Sequence, residues 1–185
     1  MVKYVSKHVS LSEELKAIII ETVMIKKFKK GSILLKSGSI PRENYFVLKG
    51  CIRSYLLKDG EEKTLEFYTE EQPVTSMANG KKIPSEFYLE CIEDSVLSVS
   101  TPEHDEEMFK KYPQFESICR IISDVILANY QETFINFKLM TPEERYLAII
   151  KNRPDLPQRV PQYQLASYLA ITPQSLSRIR KRLVK

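Results

Sequence analysis

The sequence predicts an α+β chain: one helix, a β-rich middle folded as a small barrel or roll, a long helix, and an all-α carboxyl-terminal pair. Three observations predict it. All five glycines lie between Gly31 and Gly80, within a series of short β-rich runs. Residues 114–138 carry apolar residues at helical spacing over about seven turns. Residues 160–185 hold two short helical patterns joined by a tight connection. The expected division is 1–113 for the roll with its flanking helices, 114–140 for the long helix and 141–185 for the helical domain.

Residues 10–27 are expected to be helical. Ser10 and Glu13 fit a capping box, and Leu15, Ile18, Ile19 and Val23 supply the apolar face. Lys26, Lys27, Lys29 and Lys30 then fall where lysines favour the carboxyl end of a helix dipole. Strands are expected at 33–36, 45–49, 51–58, 62–68, 86–92 and 96–100, with Asp59-Gly60 as a hairpin turn. After Pro102 the pattern is helical again. A short helix over 103–111 is broken by Pro113.

On the long helix, Ile118, Ile122, Val125 and Ile126 form one stripe, and Leu127, Tyr130, Phe134 and Phe137 a shifted one. Such a wide apolar arc suits packing against the roll on one side and the same helix of a second subunit on the other. Ile118, Ile122, Val125 and Ile126 are the expected dimer contacts, with Asn129 marking register. Thr141-Pro142-Glu143-Glu144 has the cap, proline and first-turn acids that open a helix. Residues 153–157 read as a proline-bounded loop.

Residues 172–183, TPQSLSRIRKRL, combine a buried stripe (Leu176, Ile179, Leu183) with a polar, cationic face. Thr172 is placed as N-cap and Pro173 at the first helical position. Gln174 and Arg178 have side chains that bind adenine and guanine edges bidentately. Lys181 and Arg182 can neutralise phosphates, and Thr172, Ser175 and Ser177 can bond to them. The helix before, with Leu165, Ala166 and Leu169, completes a helix-turn-helix pattern in which Ala170 replaces the usual turn glycine. From Thr141 onward there are nine Lys/Arg against three Asp/Glu, a balance of +6, while the preceding residues carry −2 of the chain's +4. A near-neutral body with a basic end points to double-stranded DNA as partner.

Cys51, Cys91 and Cys119 are scattered and form no paired spacing, so neither a zinc site nor a disulfide framework is expected. His8 and His104 lie outside the β-rich region, so no metal site is expected there. Residues 1–10 lack the apolar core of a secretion signal, and no run is long enough to span a bilayer; a cytoplasmic protein with no membrane partner is expected. No nucleophile–base pair or phosphate loop indicates an enzyme.

KKGSILLKSG, ENYFVLKGCIRSYL followed by KDGEE, and YLAITPQSLSRIRKRL give the chain a resemblance to the Crp/Fnr family of bacterial transcription regulators, especially its small Bacteroidetes members. The resemblance covers nearly the whole length. It implies a cyclic-nucleotide-binding-like β-roll (jelly-roll), a dimerising central helix, a DNA-binding carboxyl-terminal domain and a contact with RNA polymerase. Gln174 and Arg178 match two of the family's base-reading positions, whereas Pro173 replaces a polar contact. The sequence ends two residues after Leu183, so the β-wing is expected to be absent and affinity to lean on dimerisation. The family's Gly-Glu pair and phosphate-gripping Arg are missing from the effector region, where the sequence has Ser76, Pro84 and Ser85. Lys81 and Lys82 are expected in a solvated loop. A buried phosphate without a cation is costly. The chain is therefore expected not to bind cAMP or cGMP in the family's manner; no cofactor is expected, and the small-molecule effector is either unidentified or absent. The competing expectation is a ligand-binding or interaction module whose carboxyl-terminal helices contact protein instead.

Overall fold

A computed structural model describes residues 1–74 and 83–183. It divides into two compact units: Met1–Ser54 with Phe67–Leu127, and Tyr55–Glu66 with Ala128–Lys185. The predicted α+β class is the observed one.

The first unit opens with a one-turn helix, α1 (Val2–Val5), and then α2 (Glu13–Thr22). Ser12, rather than Ser10, caps α2: its hydroxyl accepts the Leu15 N–H at 3.2 Å. The helix stops at Thr22, and strand β1 (Met24–Phe28) follows where the lysine pattern suggests more helix. Thr22, Val23 and Ile25 are β-branched and poor helix formers. Pairing with β8 (Ser95–Ser100) along the whole of β1, Met24 opposite Val99 through Phe28 opposite Ser95, decides the outcome. Lys26 and Lys27 therefore sit on an edge strand, where lysine discourages pairing with another chain.

The remaining strands are β2 (Ile33–Leu35), β3 (Asn44–Lys49), β4 (Ile52–Lys58), β5 (Glu61–Tyr68), β6 (Pro73–Val74) and β7 (Tyr88–Cys91). One four-stranded sheet has the order β1-β8-β3-β6 and the other β2-β7-β4-β5. Val47, Ile52, Phe67, Leu89, Leu97 and Val99 are buried and fill the roll. Arg53 of β4 is also buried, with the Glu90 carboxylate 3.9 Å away. Cys51, Cys91 and Cys119 are free thiols; burial pushes the Cys91 thiol up to about 11.

Helix α3 (Pro102–Lys111) is capped by Thr101 and leads to α4 (Gln114–Leu139), about 39 Å long. Leu11, Ile18 and Ile19 pack with Phe115 and Ile118 in a second small core, against which Ile122 also lies. Ile118, expected as a dimer contact, instead has its side chain in this chain's own core, with Ile122 against the same cluster. Val125 and Ile126 are half-buried, and Asn129 is exposed. The outward apolar residues of α4 come later, at Leu127, Tyr130, Phe134, Ile135, Phe137 and Leu139.

The second unit contains the tip of the β4–β5 hairpin, the end of α4, and four further helices: α5 (Pro142–Asn152), α6 (Leu156–Arg159), α7 (Gln162–Tyr168) and α8 (Pro173–Leu183). Asp59 and Gly60 both have positive φ, 54° and 79°, as a two-residue type I′ hairpin turn requires. Thr141 and Glu144 form the full capping box that opens α5. Tyr55, Tyr146, Ile149, Leu156, Val160, Leu165, Ala166, Leu169, Leu176 and Ile179 are buried hydrophobic residues of this unit, and Thr64 and Gln164 are buried beside them. Helix α6 occupies part of the proline-bounded stretch read as loop, with Pro157 tolerated in its first turn. No described helix is long and apolar enough to cross a membrane.

Candidate nucleic-acid interface

Helices α7 and α8 pack against each other through a sharp turn. Helix α7 ends in a Schellman arrangement: Ile171 N–H donates to Ala166 O and Ala170 N–H to Ser167 O, both at 3.0 Å. Ala170 holds φ at +56°, the left-handed conformation in which glycine is usual. The turn geometry is thus kept without its glycine. Gln164 is the third residue of α7 and is buried, but its Oε1 has no partner. The residue preceding α7, Pro161, has no N–H to offer a returning side chain.

Thr172 caps α8, as its sequence position suggests: its hydroxyl accepts the Ser175 N–H at 3.2 Å and lies 3.0 Å from the Ser175 hydroxyl. Both hydroxyls are therefore engaged with each other. Leu176 and Ile179 are buried beneath the helix, while Gln174, Ser177, Arg178 and Lys181 are exposed. At roughly 100° per residue these four each stand about 100° or more from both buried residues. Among the described residues, none of the four has a hydrogen-bond or ion-pair partner.

Arg180 and Arg182 are placed differently. Each lies within roughly 60° of a buried residue, Arg180 beside Leu176 and Arg182 beside Ile179. Both guanidinium groups reach neighbouring helices. Arg180 donates to Gln162 Oε1 on α7, and Arg182 donates to Glu143 Oε2 on α5. Arg145 of α5 donates to Leu169 O at 2.9 Å and stacks over the Phe137 ring at 4.2 Å. The seven residues singled out in the sequence thus form an outward ridge of four, a capping pair, and one tethered arginine.

The contacts of the β4–β5 hairpin with the helices of this unit are what the sequence does not announce. Thr64 N–H donates to the Ser167 hydroxyl at 2.9 Å. The Glu66 carboxylate accepts from Arg153 at 3.2 Å and from the Tyr168 hydroxyl at 3.4 Å. Burial, then Glu66, push the Tyr168 phenol above its ordinary range.

In the first unit, a cleft of about 20 Å³ is lined by Leu34, Leu35, Pro41, Arg42, Glu43, Tyr45, Val74 and Leu89. Tyr45 donates to the Glu43 carboxylate at 2.7 Å, and Lys26 pairs with the same group at 2.6 Å. Pro84 is exposed. Ser85 is buried, and its hydroxyl donates to Phe87 O at 2.9 Å, so it is already used within the chain. Ser76, Lys81 and Lys82 lie outside the described residues. Among the described residues, no cluster of three His, Cys, Asp or Glu is arranged to hold a metal.

Residues 25–112 match the family model of the cyclic nucleotide-binding domain. No curated protein matches the chain. Among solved structures, FixK2 from Bradyrhizobium japonicum is similar at 16% identity and a TM-score of 0.71, over 88% of this chain and 84% of that one. The c-di-GMP-responsive global regulator CLP of Xanthomonas campestris is similar at 16% identity and a TM-score of 0.68, over 90% and 91%. The catabolite activator protein of Thermus thermophilus gives 17% identity and a TM-score of 0.58, over 95% and 84%. The match over residues 25–112 and these likenesses show that the chain shares the fold of FixK2, CLP and the catabolite activator protein, with the part resembling a cyclic nucleotide-binding domain in its first unit.

Proposed function

We propose that this protein is a homodimeric, sequence-specific DNA-binding transcription regulator of the Crp/Fnr type. The observation that carries the reading is the outward ridge of α8: Gln174, Ser177, Arg178 and Lys181 exposed over buried Leu176 and Ile179. Gln174 and Arg178 read base edges in the major groove. Lys181 and Ser177 hold phosphates. Exposed apolar residues on the later part of α4, with Leu127 at 57% and Phe134 at 59%, supply the second-subunit contact. Two copies then present two ridges to successive major grooves. RNA polymerase is the further macromolecular partner. Neither cAMP nor cGMP is bound in the family's manner, since the region expected to grip a cyclic phosphate has no arginine between Arg53 and Arg120.

Arg178→Ala tests the reading. Specific DNA binding is expected to be lost, with thermal midpoint and subunit mass unchanged. Retention of specific binding by the variant would move the base-reading contact to another surface.

A further inference from the structure

Two acids open α5 and serve different purposes. The Glu144 carboxylate closes the capping box, accepting Thr141 N–H at 2.7 Å and lying 2.8 Å from the Thr141 hydroxyl. Glu143 takes no part in the cap. Its carboxylate accepts the Arg182 guanidinium from the last turn of α8. Among the described residues, Arg182 is the α8 cation with a carboxylate partner. Arg178 and Lys181 have none, and Arg180 bonds to the neutral amide oxygen of Gln162.

A carboxylate and a phosphodiester present similar anionic oxygens to a guanidinium fork. A DNA phosphate approaching this end of α8 therefore competes with Glu143 for the Arg182 Nη2 group. Wherever the phosphate takes that nitrogen, the carboxylate is left near a like-charged backbone. The Arg182 side chain is 64% exposed and that of Glu143 37%, so water reaches the pair and exchange is feasible.

We propose that Glu143 is an internal competitor for DNA phosphate at Arg182, and that this autoinhibitory contact lowers the affinity of α8 for DNA. The proposal rests on the reading of α8 as the DNA-facing helix. A pair that merely staples α8 to α5 has the opposite signature: removing Glu143 then lowers stability and does not tighten DNA binding.

The test uses the full chain as wild type, Glu143→Gln, Arg182→Gln and the double variant. Each is titrated with a fluorescent random-sequence duplex across a salt series, beside thermal unfolding. Glu143→Gln is expected to bind roughly two- to fivefold tighter at low salt. Its log-affinity slope against log salt should steepen by up to about 0.9 per freed cation. In the Arg182→Gln background the Glu143 change should have no effect, which separates the specific contact from the added net charge. Should Glu143→Gln prove unstable, Glu143→Ser gives the same readout with a residue suited to a first helical turn. Unchanged or weaker binding, or equal tightening in both backgrounds, overturns the proposal while wild-type binding leaves the DNA reading intact. If neither the wild type nor Glu143→Gln binds the duplex at the lowest salt, the DNA reading falls and the proposal with it.

Discussion

The Thr64 amide donates to the Ser167 hydroxyl at 2.9 Å, tying the tip of the β4–β5 hairpin to the penultimate residue of α7. Thr64 is 6% exposed, so water cannot readily replace that acceptor. Ser167→Ala leaves a buried donor without its acceptor and is expected to cost about 1–3 kcal/mol. Hydrogen exchange checks this residue by residue: the Thr64 amide should lose protection more than other β5 amides do. Glu66→Gln should add a loss of about 1–2 kcal/mol through the Arg153 pair, both partners being about one-fifth exposed.

Two turns make opposite predictions about glycine. A Cβ at Gly50 would stand 2.3 Å from the Ser95 hydroxyl and 2.8 Å from the Ser95 backbone, with φ at +106°. Gly50→Ala is therefore expected to destabilise by more than about 2 kcal/mol. At Ala170 the left-handed φ is already borne by a residue with a Cβ. Ala170→Gly should stabilise by about 0.5–1 kcal/mol and leave DNA binding unchanged. Denaturant midpoints of the two variants, moving in opposite directions, check both.

Glu71 gives the stability of the first unit an acid dependence. Its carboxylate accepts Lys3 and Lys7, which together hold its pKa down to about 2 from an ordinary 4.5. The folded chain thus takes up this proton less readily than the unfolded chain. The stability supplied is complete above 4.5 and is lost as pH falls toward 2. The difference in unfolding free energy between wild type and Glu71→Gln should stay level above that window and shrink across it.

The exposed half of α4 predicts its own test. Phe134→Glu places a charge among Leu127, Tyr130 and Ile135, and the sedimentation mass is expected to fall from dimer to monomer. Ile118→Ala should instead lower the unfolding midpoint, by about 2–4 kcal/mol of stability, because that side chain is core.

What was legible in the sequence was local. Asp59-Gly60 fixed its hairpin because two positive φ angles admit few residue types. The Leu176–Ile179 stripe placed the outward side of α8 because 3.6-residue periodicity is a local property. Thr141 and Glu144 announced their cap three residues apart. Long-range partners were not legible. Strand β1 looked helical because the partner that holds it, Ser95–Val99, is about 70 residues away. The Ile118 stripe was visible, but periodicity does not say whether a second subunit or α2 covers it. The Arg182 tether leaves no trace in spacing because Glu143 lies 39 positions earlier. Ser167 and Glu66 carried no motif, since a hydroxyl or carboxylate meeting a distant hairpin leaves no pattern in spacing.

The most direct measurement is selection of random-sequence duplexes by the full-length protein, followed by sequencing of what it retains. The account predicts enrichment of a two-fold symmetric site, its half-sites centred about 10 base pairs apart. It also predicts that Arg178→Ala loses the enrichment. Retention of no sequence above background by the folded wild-type protein would contradict it.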